Sequence, residues 1–317
     1  MKIVYLDRAT LSATTQLRAP LGLHDWSCFD STNPESVIAR CMGAEVVATN
    51  KVPITQAILE ACPSIRHIAV SATGYNCVDI DACSKHVVSV SNVPNYASTT
   101  VPEHVITLTL ALRRELIAYR AQVIAGKWQT SKTFCVFDKP IRDVRNATFG
   151  VIGFGGLGEA TGLLANALGM QVIYSSPSDK QSDFAKRVKF SELLARSDVI
   201  SLHCSLTPST HNLIGQHELA KMQPHCILIN TARGGVANEK EVARAVQDNI
   251  IGGIGFDVLE QEPPTQGSPL LDISHLDNVI ITPHTAWASE HALQRVADIL
   301  IDNIDAFIEQ RPQNIVS

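Results

Sequence analysis

The sequence of 317 residues contains no apolar run near the ~18 residues that cross a bilayer. Its best stretch, residues 105–112, runs into Arg113-Arg114, so no membrane span is expected. The opening MKIVYLDRAT enters a β-like run at once, without the basic and apolar regions of an export leader. Positive charge is not in excess. Lys and Arg total 26 against 31 Asp and Glu, for a net charge of −5 and a pI of about 6.1, so no nucleic-acid partner is expected. No C-x-x-C pair occurs among the eight cysteines at 28, 41, 62, 77, 83, 135, 204 and 226. A disulfide framework suits short secreted chains, whereas these sit mostly among apolar neighbours and read as thiols of a reducing cytoplasm. No metal site, internal repeat or low-complexity tract is expected. What is present is an ordinary globular balance, 45% hydrophobic and 18% charged, over a length that suits about two domains.

Short apolar runs alternate with helical periodicity from end to end. In the first hundred residues strands are expected at 3–6, 46–49, 67–70 and 87–90, and a helix at 55–61 that Thr55 can cap. A longer helix is expected from Pro102, with Glu103 at its positive end and an apolar side of Val105, Leu108, Leu112 and Leu116. Residues 120–147 lack periodicity yet carry Trp128, Phe134 and Phe137. That exceeds a normal loop and reads as an arm packing on something, such as another subunit. A second series follows, with strands at 148–152, 172–174, 199–203, 227–230, 254–258 and 279–282, then an amphipathic helix at 289–309. Alternating βα order with nearly continuous apolar strands gives the α/β class, with parallel sheet covered on both faces.

Gly153-Phe154-Gly155-Gly156-Leu157-Gly158 matches G-x-G-x-x-G. The match carries weight because it follows the strand TFGVI, opens a helix through Ala160, Leu164 and Leu168, and precedes another strand. Gly153 permits the tight turn, Gly155 lets a pyrophosphate approach the backbone, and Gly158 lets helix and strand pack closely. The phosphates then meet the helix N-terminus, where free N–H groups and the dipole favour negative charge. One companion is absent. The acid that binds the adenosine ribose is replaced by Ser175-Ser176-Pro177, with no carboxylate before Asp179. Without it a 2′-phosphate is not repelled and Lys180 is within reach of one, so NAD and NADP both stand.

In an open parallel sheet ligands bind beyond the carboxyl ends of the strands. There the second half places His203, Cys204 and Thr207, then Asn230, Thr231, Ala232 and Arg233, then Asp257, then His284. Hydride delivery to a ketone carbon builds negative charge on its oxygen. A histidine can supply the proton near neutral pH, a carboxylate can orient it, and an arginine fork can bind a substrate carboxylate. Taken singly, His284 reads as a core histidine, Arg233 as a surface charge and Glu262 as a solvated loop acid. Their recurrence after successive strands favours a site.

These motifs resemble the D-2-hydroxyacid dehydrogenase family over nearly the whole chain. The resemblance is carried by the glycine loop, Asn230–Gly235, Gly255–Pro264 with Asp257 and Glu262, and Thr282–Ser289 with His284 and Trp287. It implies two Rossmann-like doubly wound parallel-sheet domains with an active-site cleft between them. Residues 1–99 plus 288–317 would form a discontinuous substrate-binding domain, and 100–287 the dinucleotide domain. It implies that Arg233 holds substrate, that Glu262 pairs with an acid/base His284, and that Asp257 meets the nicotinamide. His203, Cys204 and Thr207 would lie along the adenosine. Within Ser71–Asn76, Ala72, Thr73 and Gly74 resemble the loop that grips the substrate carboxylate. Within Thr99–His104, Val101 would lie beside the cofactor, along with Ser175, Ser176, Thr231 and Ala232. A homodimer through 100–147 is implied too.

Gly126–Gln129 and Phe134–Ile141 most resemble glycerate dehydrogenases, also called hydroxypyruvate reductases, which favours hydroxypyruvate or glyoxylate among small 2-keto acids. The ribose acid, Pro102 and Ser205 depart from the family pattern. A short form of phosphoglycerate dehydrogenase remains an alternative. So does a non-catalytic NAD-sensing protein like the corepressors of this fold. A formate dehydrogenase is disfavoured by the Glu262 carboxylate.

Overall fold

The computed structural model describes residues 1–264 and 267–317. It divides into two compact units, Met1–Tyr96 with Ala288–Ser317, and Ala97–Trp287.

The first unit holds β1 (Lys2–Tyr5), β2 (Asp25–Cys28), β3 (Val46–Thr49), β4 (His67–Val70) and β5 (Ser89–Ser91). All pair in parallel, in the order β2-β1-β3-β4-β5. That is a doubly wound order whose direction reverses between β1 and β3. Every residue of β3 and β4 is buried, as strands covered on both faces must be. The edge strand β2, DWSC, is partly exposed and has no apolar run. Strand β5 starts at Ser89 because Val87 takes φ 56° and stays exposed. Thr55 occupies the N-cap of Gln56–Ala61, but its side chain makes no capping bond. The last helix, Glu290–Ile308, is capped by Ser289 Oγ, which accepts from Ala292 N–H at 3.2 Å. It belongs to this unit. Asn303 Nδ2 donates to Asn92 O at 2.8 Å, and Phe307 stacks on His67 at 4.6 Å.

The second unit holds β6 (Thr148–Ile152), β7 (Gln171–Ser175), β8 (Ala185–Arg187), β9 (Val199–Leu202), β10 (Ile227–Asn230), β11 (Gly253–Phe256) and β12 (Val279–Ile281). The parallel order is β12-β11-β10-β9-β6-β7-β8, reversing between β6 and β9. Ile152, Leu202, Leu228, Ile254 and Phe256 make the centre of its core.

The helix Thr100–Arg113 starts two residues before Pro102, which still falls in the first turn where an N–H has no helical partner. It does not continue to Leu116. Glu115 turns to φ 53°, and a separate helix follows at Leu116–Ile124. The break is anchored by the returning arm. Arg142 N–H donates to Arg113 O at 2.9 Å, and buried Arg113 donates through Nη2 to Asp143 O at 2.5 Å. All eight cysteines are unpaired. Among the described residues no helix is long and apolar enough to cross a membrane.

Candidate active site

The register of the second sheet aligns strand ends. Ile152 lies beside Ser175 and Leu202, Leu202 beside Asn230, Asn230 beside Phe256, and Phe256 beside Ile281. The next residues along each strand therefore share one edge: Gly153, Ser176, His203, Thr231, Asp257 and Thr282.

The glycines have separable reasons. Gly153 has φ +89°, and a Cβ there would stand 2.7 Å from Cys204 N. A Cβ on Gly158 would stand 2.1 Å from Gly153 O, so this glycine lets helix and loop touch. Gly155 is different. Its φ of −81° and ψ of −164° suit any residue, and a Cβ would meet nothing within 4 Å. Neither backbone nor protein packing explains it. It lies at the N-cap of Gly156–Ala167, a helix with no side-chain cap, with Gly156 equally open and Leu157 partly exposed in the first turn. An open space facing uncapped N–H groups fits a pyrophosphate. A further sign lies at the end of β10, where Thr231 Oγ1 is buried with no hydrogen-bond partner among the described residues.

Near Ser176 the structure adds a second cation to the expected Lys180. Lys180 is engaged with Glu159, Nζ to Oε2 at 2.6 Å. The cation against Ser176 is Arg187 of β8, whose Nη2 donates to Ser176 O at 3.0 Å. Ser175 O accepts from Gly153 N–H at 2.9 Å, tying β7 to the glycine loop. His203 Nε2 and Ser201 Oγ are 2.8 Å apart, and burial holds this imidazole down to about 4. It is therefore neutral near pH 7. Cys204 is half-buried, with burial pushing its thiol up, and Thr207 lies in an exposed hydroxyl-rich turn with Ser209 and Thr210.

At β10, buried Asn230 shapes the turn that carries Arg233. Its Nδ2 donates to Arg233 O at 2.9 Å and its Oδ1 accepts from Ala232 N–H at 3.0 Å. The Arg233 guanidinium is exposed, with Nη1 donating to Ala232 O at 2.7 Å. The next residue locks this turn to the following loop, since a Cβ on Gly234 would stand 2.0 Å from Leu259 O. Glu239 accepts from Glu260 N–H at 2.5 Å, a second tie on the same loop.

That loop delivers Glu262. Oε1 accepts from Leu259 N–H at 2.9 Å, and Oε2 lies 2.6 Å from His284 Nδ1. A carboxylate only accepts, so Nδ1 carries the proton of this bond and Nε2 stands outside it. His284 takes φ 55°, its N–H donating to the carbonyls of Asp257 and Thr282 at 2.9 Å each. Asp257, 2% exposed, accepts from Thr282 Oγ1 at 2.5 Å, Thr285 N–H at 2.8 Å and Ala286 N–H at 2.9 Å. Asp257 is thus the anchor of the His284 loop. The start of helix Thr100–Arg113 braces it too, through Thr100 Oγ1 to Ala286 O at 3.0 Å and His104 Nε2 to Thr282 Oγ1 at 3.1 Å. Val101 is buried in that first turn.

In the first unit, Ala72 O accepts from Val93 N–H at 3.0 Å and Thr73 O from Asn92 Nδ2 at 2.8 Å. Because a trans peptide points its N–H opposite its carbonyl, the N–H groups of Thr73 and Gly74 face away from 92–93 as a pair. Two features here escaped the sequence. The buried Asp7 carboxylate gathers the N–H groups of Asn50, Lys51 and Val52, and Asn50 Oδ1 is buried without a hydrogen-bond partner among the described residues. Neither belongs to a motif. Arg187 escaped as well, because its edge strand AKR carries no apolar run or alternation.

The family described as "D-isomer specific 2-hydroxyacid dehydrogenase, NAD binding domain" matches residues 106–286. A glycerate dehydrogenase of Methylorubrum extorquens is 45% identical over 319 residues, covering 99% of this chain and 98% of the relative. A hydroxypyruvate reductase of Blautia hydrogenotrophica is 34% identical, with all of both chains covered. Among solved structures, an acyclic imino acid reductase in complex with NADPH and D-Arg superposes with a TM-score of 0.86 at 27% identity, again over the whole of both chains. A G-x-G-x-x-G turn between strand and helix, a braced histidine–carboxylate pair and these likenesses agree: the chain belongs to the D-isomer specific 2-hydroxyacid dehydrogenases, NAD(P)-dependent oxidoreductases.

Proposed function

We propose that the protein reduces a small 2-keto acid to the D-2-hydroxy acid, with hydroxypyruvate or glyoxylate favoured, as the relatives' names suggest. The observation that carries this reading is the 2.6 Å pair between His284 Nδ1 and Glu262 Oε2 on a loop that Asp257 anchors. A dinucleotide held at the open Gly155–Gly156 turn would supply the hydride. His284 gives its Nε2 proton to the keto oxygen as charge builds there, and takes it back in the reverse direction. Glu262 holds the ring and its tautomer. Arg233, exposed and braced by Asn230, binds the substrate carboxylate and polarises the carbonyl. In the first unit, the N–H pair of Thr73 and Gly74, turned outward by the bonds at Ala72 O and Thr73 O, is suited to a carboxylate.

Two further assignments go with this one. Phe134 and Phe137 are 91% and 81% exposed on an arm that also bares Ile124 and Trp128, which supports a homodimer through residues 100–147. Eight unpaired cysteines support a reducing, cytoplasmic location. The test of function is steady-state oxidation of NADH and NADPH with hydroxypyruvate, glyoxylate, pyruvate and 3-phosphohydroxypyruvate. Turnover strongest with hydroxypyruvate or glyoxylate is expected. Strong preference for the phosphorylated acid would reassign the substrate, and tight nucleotide binding without turnover on any of them would overturn the catalytic reading.

A further inference from the structure

We infer that Arg187, with Ser176 and Ser178, is the determinant that makes NADPH the preferred dinucleotide, its guanidinium taking the 2′-phosphate. The inference rests on the dinucleotide reading of the glycine loop. Strand β8 pairs in parallel with β7, Tyr174 beside Arg187. That register places Arg187 at the end of the edge strand, against the segment where this fold receives the adenosine ribose. The guanidinium is already aimed there, with Nη2 on Ser176 O at 3.0 Å and Nη1 on Asp179 Oδ1 at 3.0 Å.

Its present partners are weak. Asp179 is 98% exposed, and an exposed pair of this kind holds little energy. A dianionic phosphate offers the same fork two oxygens and twice the charge, so it displaces Asp179. The remaining groups are compatible. Ser176 and Ser178 place two hydroxyls 3.3 Å apart, and Ser178 N–H points at Ser176 Oγ. No carboxylate occurs at 175–177 to repel the phosphate. Lys180 and Glu159 pair nearby at 2.6 Å and together add no net charge. Replacing an acid by serine removes repulsion; it is the arginine from the neighbouring strand that adds attraction.

Calorimetric titration of the full-length protein with NADPH, NADH and adenosine 2′,5′-bisphosphate tests this without reference to turnover. The wild type should bind NADPH about ten- to hundredfold more tightly than NADH, the range of one charge-assisted bond. R187A should weaken NADPH and the bisphosphate by that factor and leave the NADH dissociation constant within about twofold. R187K should fall between, since a point charge replaces a fork. S176D, which leaves Arg187 in place, should turn the preference toward NADH. The proposal fails if the wild type binds NADH as tightly as NADPH, or if R187A weakens both dinucleotides alike. Failure of the wild type to bind either would instead overturn the dinucleotide reading beneath it.

Discussion

Gly155→Ala and Gly158→Ala are one methyl group each, three residues apart, and should fail in different ways. At Gly155 the backbone is ordinary and a Cβ meets nothing within 4 Å. Alanine at an N-cap is worse than glycine by roughly 0.5–1 kcal/mol, while its stiffer unfolded chain returns about 0.4–1 kcal/mol. The two nearly cancel, so Tm should stay within about 2 °C of wild type. The methyl group nonetheless fills the space where the pyrophosphate meets the helix N–H groups. Losing one such charge-assisted bond costs about 1.5–3 kcal/mol, roughly a ten- to hundredfold rise in dinucleotide Kd.

Gly158→Ala puts a Cβ 2.1 Å from Gly153 O, where ordinary contacts begin near ~3.5 Å. Helix and loop must part by more than about 1 Å, a strain of roughly 1–3 kcal/mol. At about 2–4 °C per kcal/mol for a unit of this size, Tm falls by roughly 2–12 °C and binding falls with it. Differential scanning fluorimetry and calorimetry on the same samples separate the two. If Gly155→Ala bound NADH and NADPH like wild type, the pyrophosphate would not lie against that backbone, and the fit argued from the open glycine would be wrong.

His284→Ala should lower turnover by about two or more orders of magnitude, as loss of a general acid does, with dinucleotide binding intact by calorimetry; near-wild-type rates would remove His284 from the chemistry. Asp257→Asn must set an amide NH₂ against one of the N–H groups of Thr285 or Ala286, at about 1–3 kcal/mol. Both Tm and kcat should therefore fall, and an unchanged Tm would refute the anchoring role. A pH prediction follows from His67 and His203, both held by burial at about 4 against an ordinary 6.5. Between those values the unfolded chain takes up protons that the folded chain refuses. Stability is therefore complete above 6.5 and declines as pH falls toward 4, by at most about 1.4 kcal/mol per pH unit per histidine. His67→Gln should flatten that decline in chemical denaturation from pH 6.5 to 4, and an unaltered slope would show that His67 does not carry it.

Much of this was legible because buried parallel strands write themselves as apolar runs. β3, β4, β6, β9 and β10 are covered on both faces and left little doubt. β2 and β8 are edge strands, DWSC and AKR, whose exposed side chains erase that signal, and with β8 went Arg187. The helix break at Glu115 was hidden because the apolar spacing continues through it. What stops the helix is a long-range bond from Arg142, 29 residues on. Arg233, Glu262 and His284 could be named from motifs. That Asn230, Gly234, Glu239 and Asp257 hold them in place depends on contacts between loops that no local pattern encodes.

His284 also exposes what this loop gives up. A non-glycine residue in the left-handed region carries about 1–2 kcal/mol of backbone strain, and φ 55° is such a conformation. Glycine would relieve it, so His284→Gly should fold more stably than His284→Ala by about 0.5–1 kcal/mol once glycine's looser unfolded state is counted. A screen for thermal robustness and a screen for catalysis would then pull this position in opposite directions. Stabilising changes in this enzyme are better sought at Asn146, Asn212 and Asn249, which share the left-handed backbone but bear no part of the chemistry.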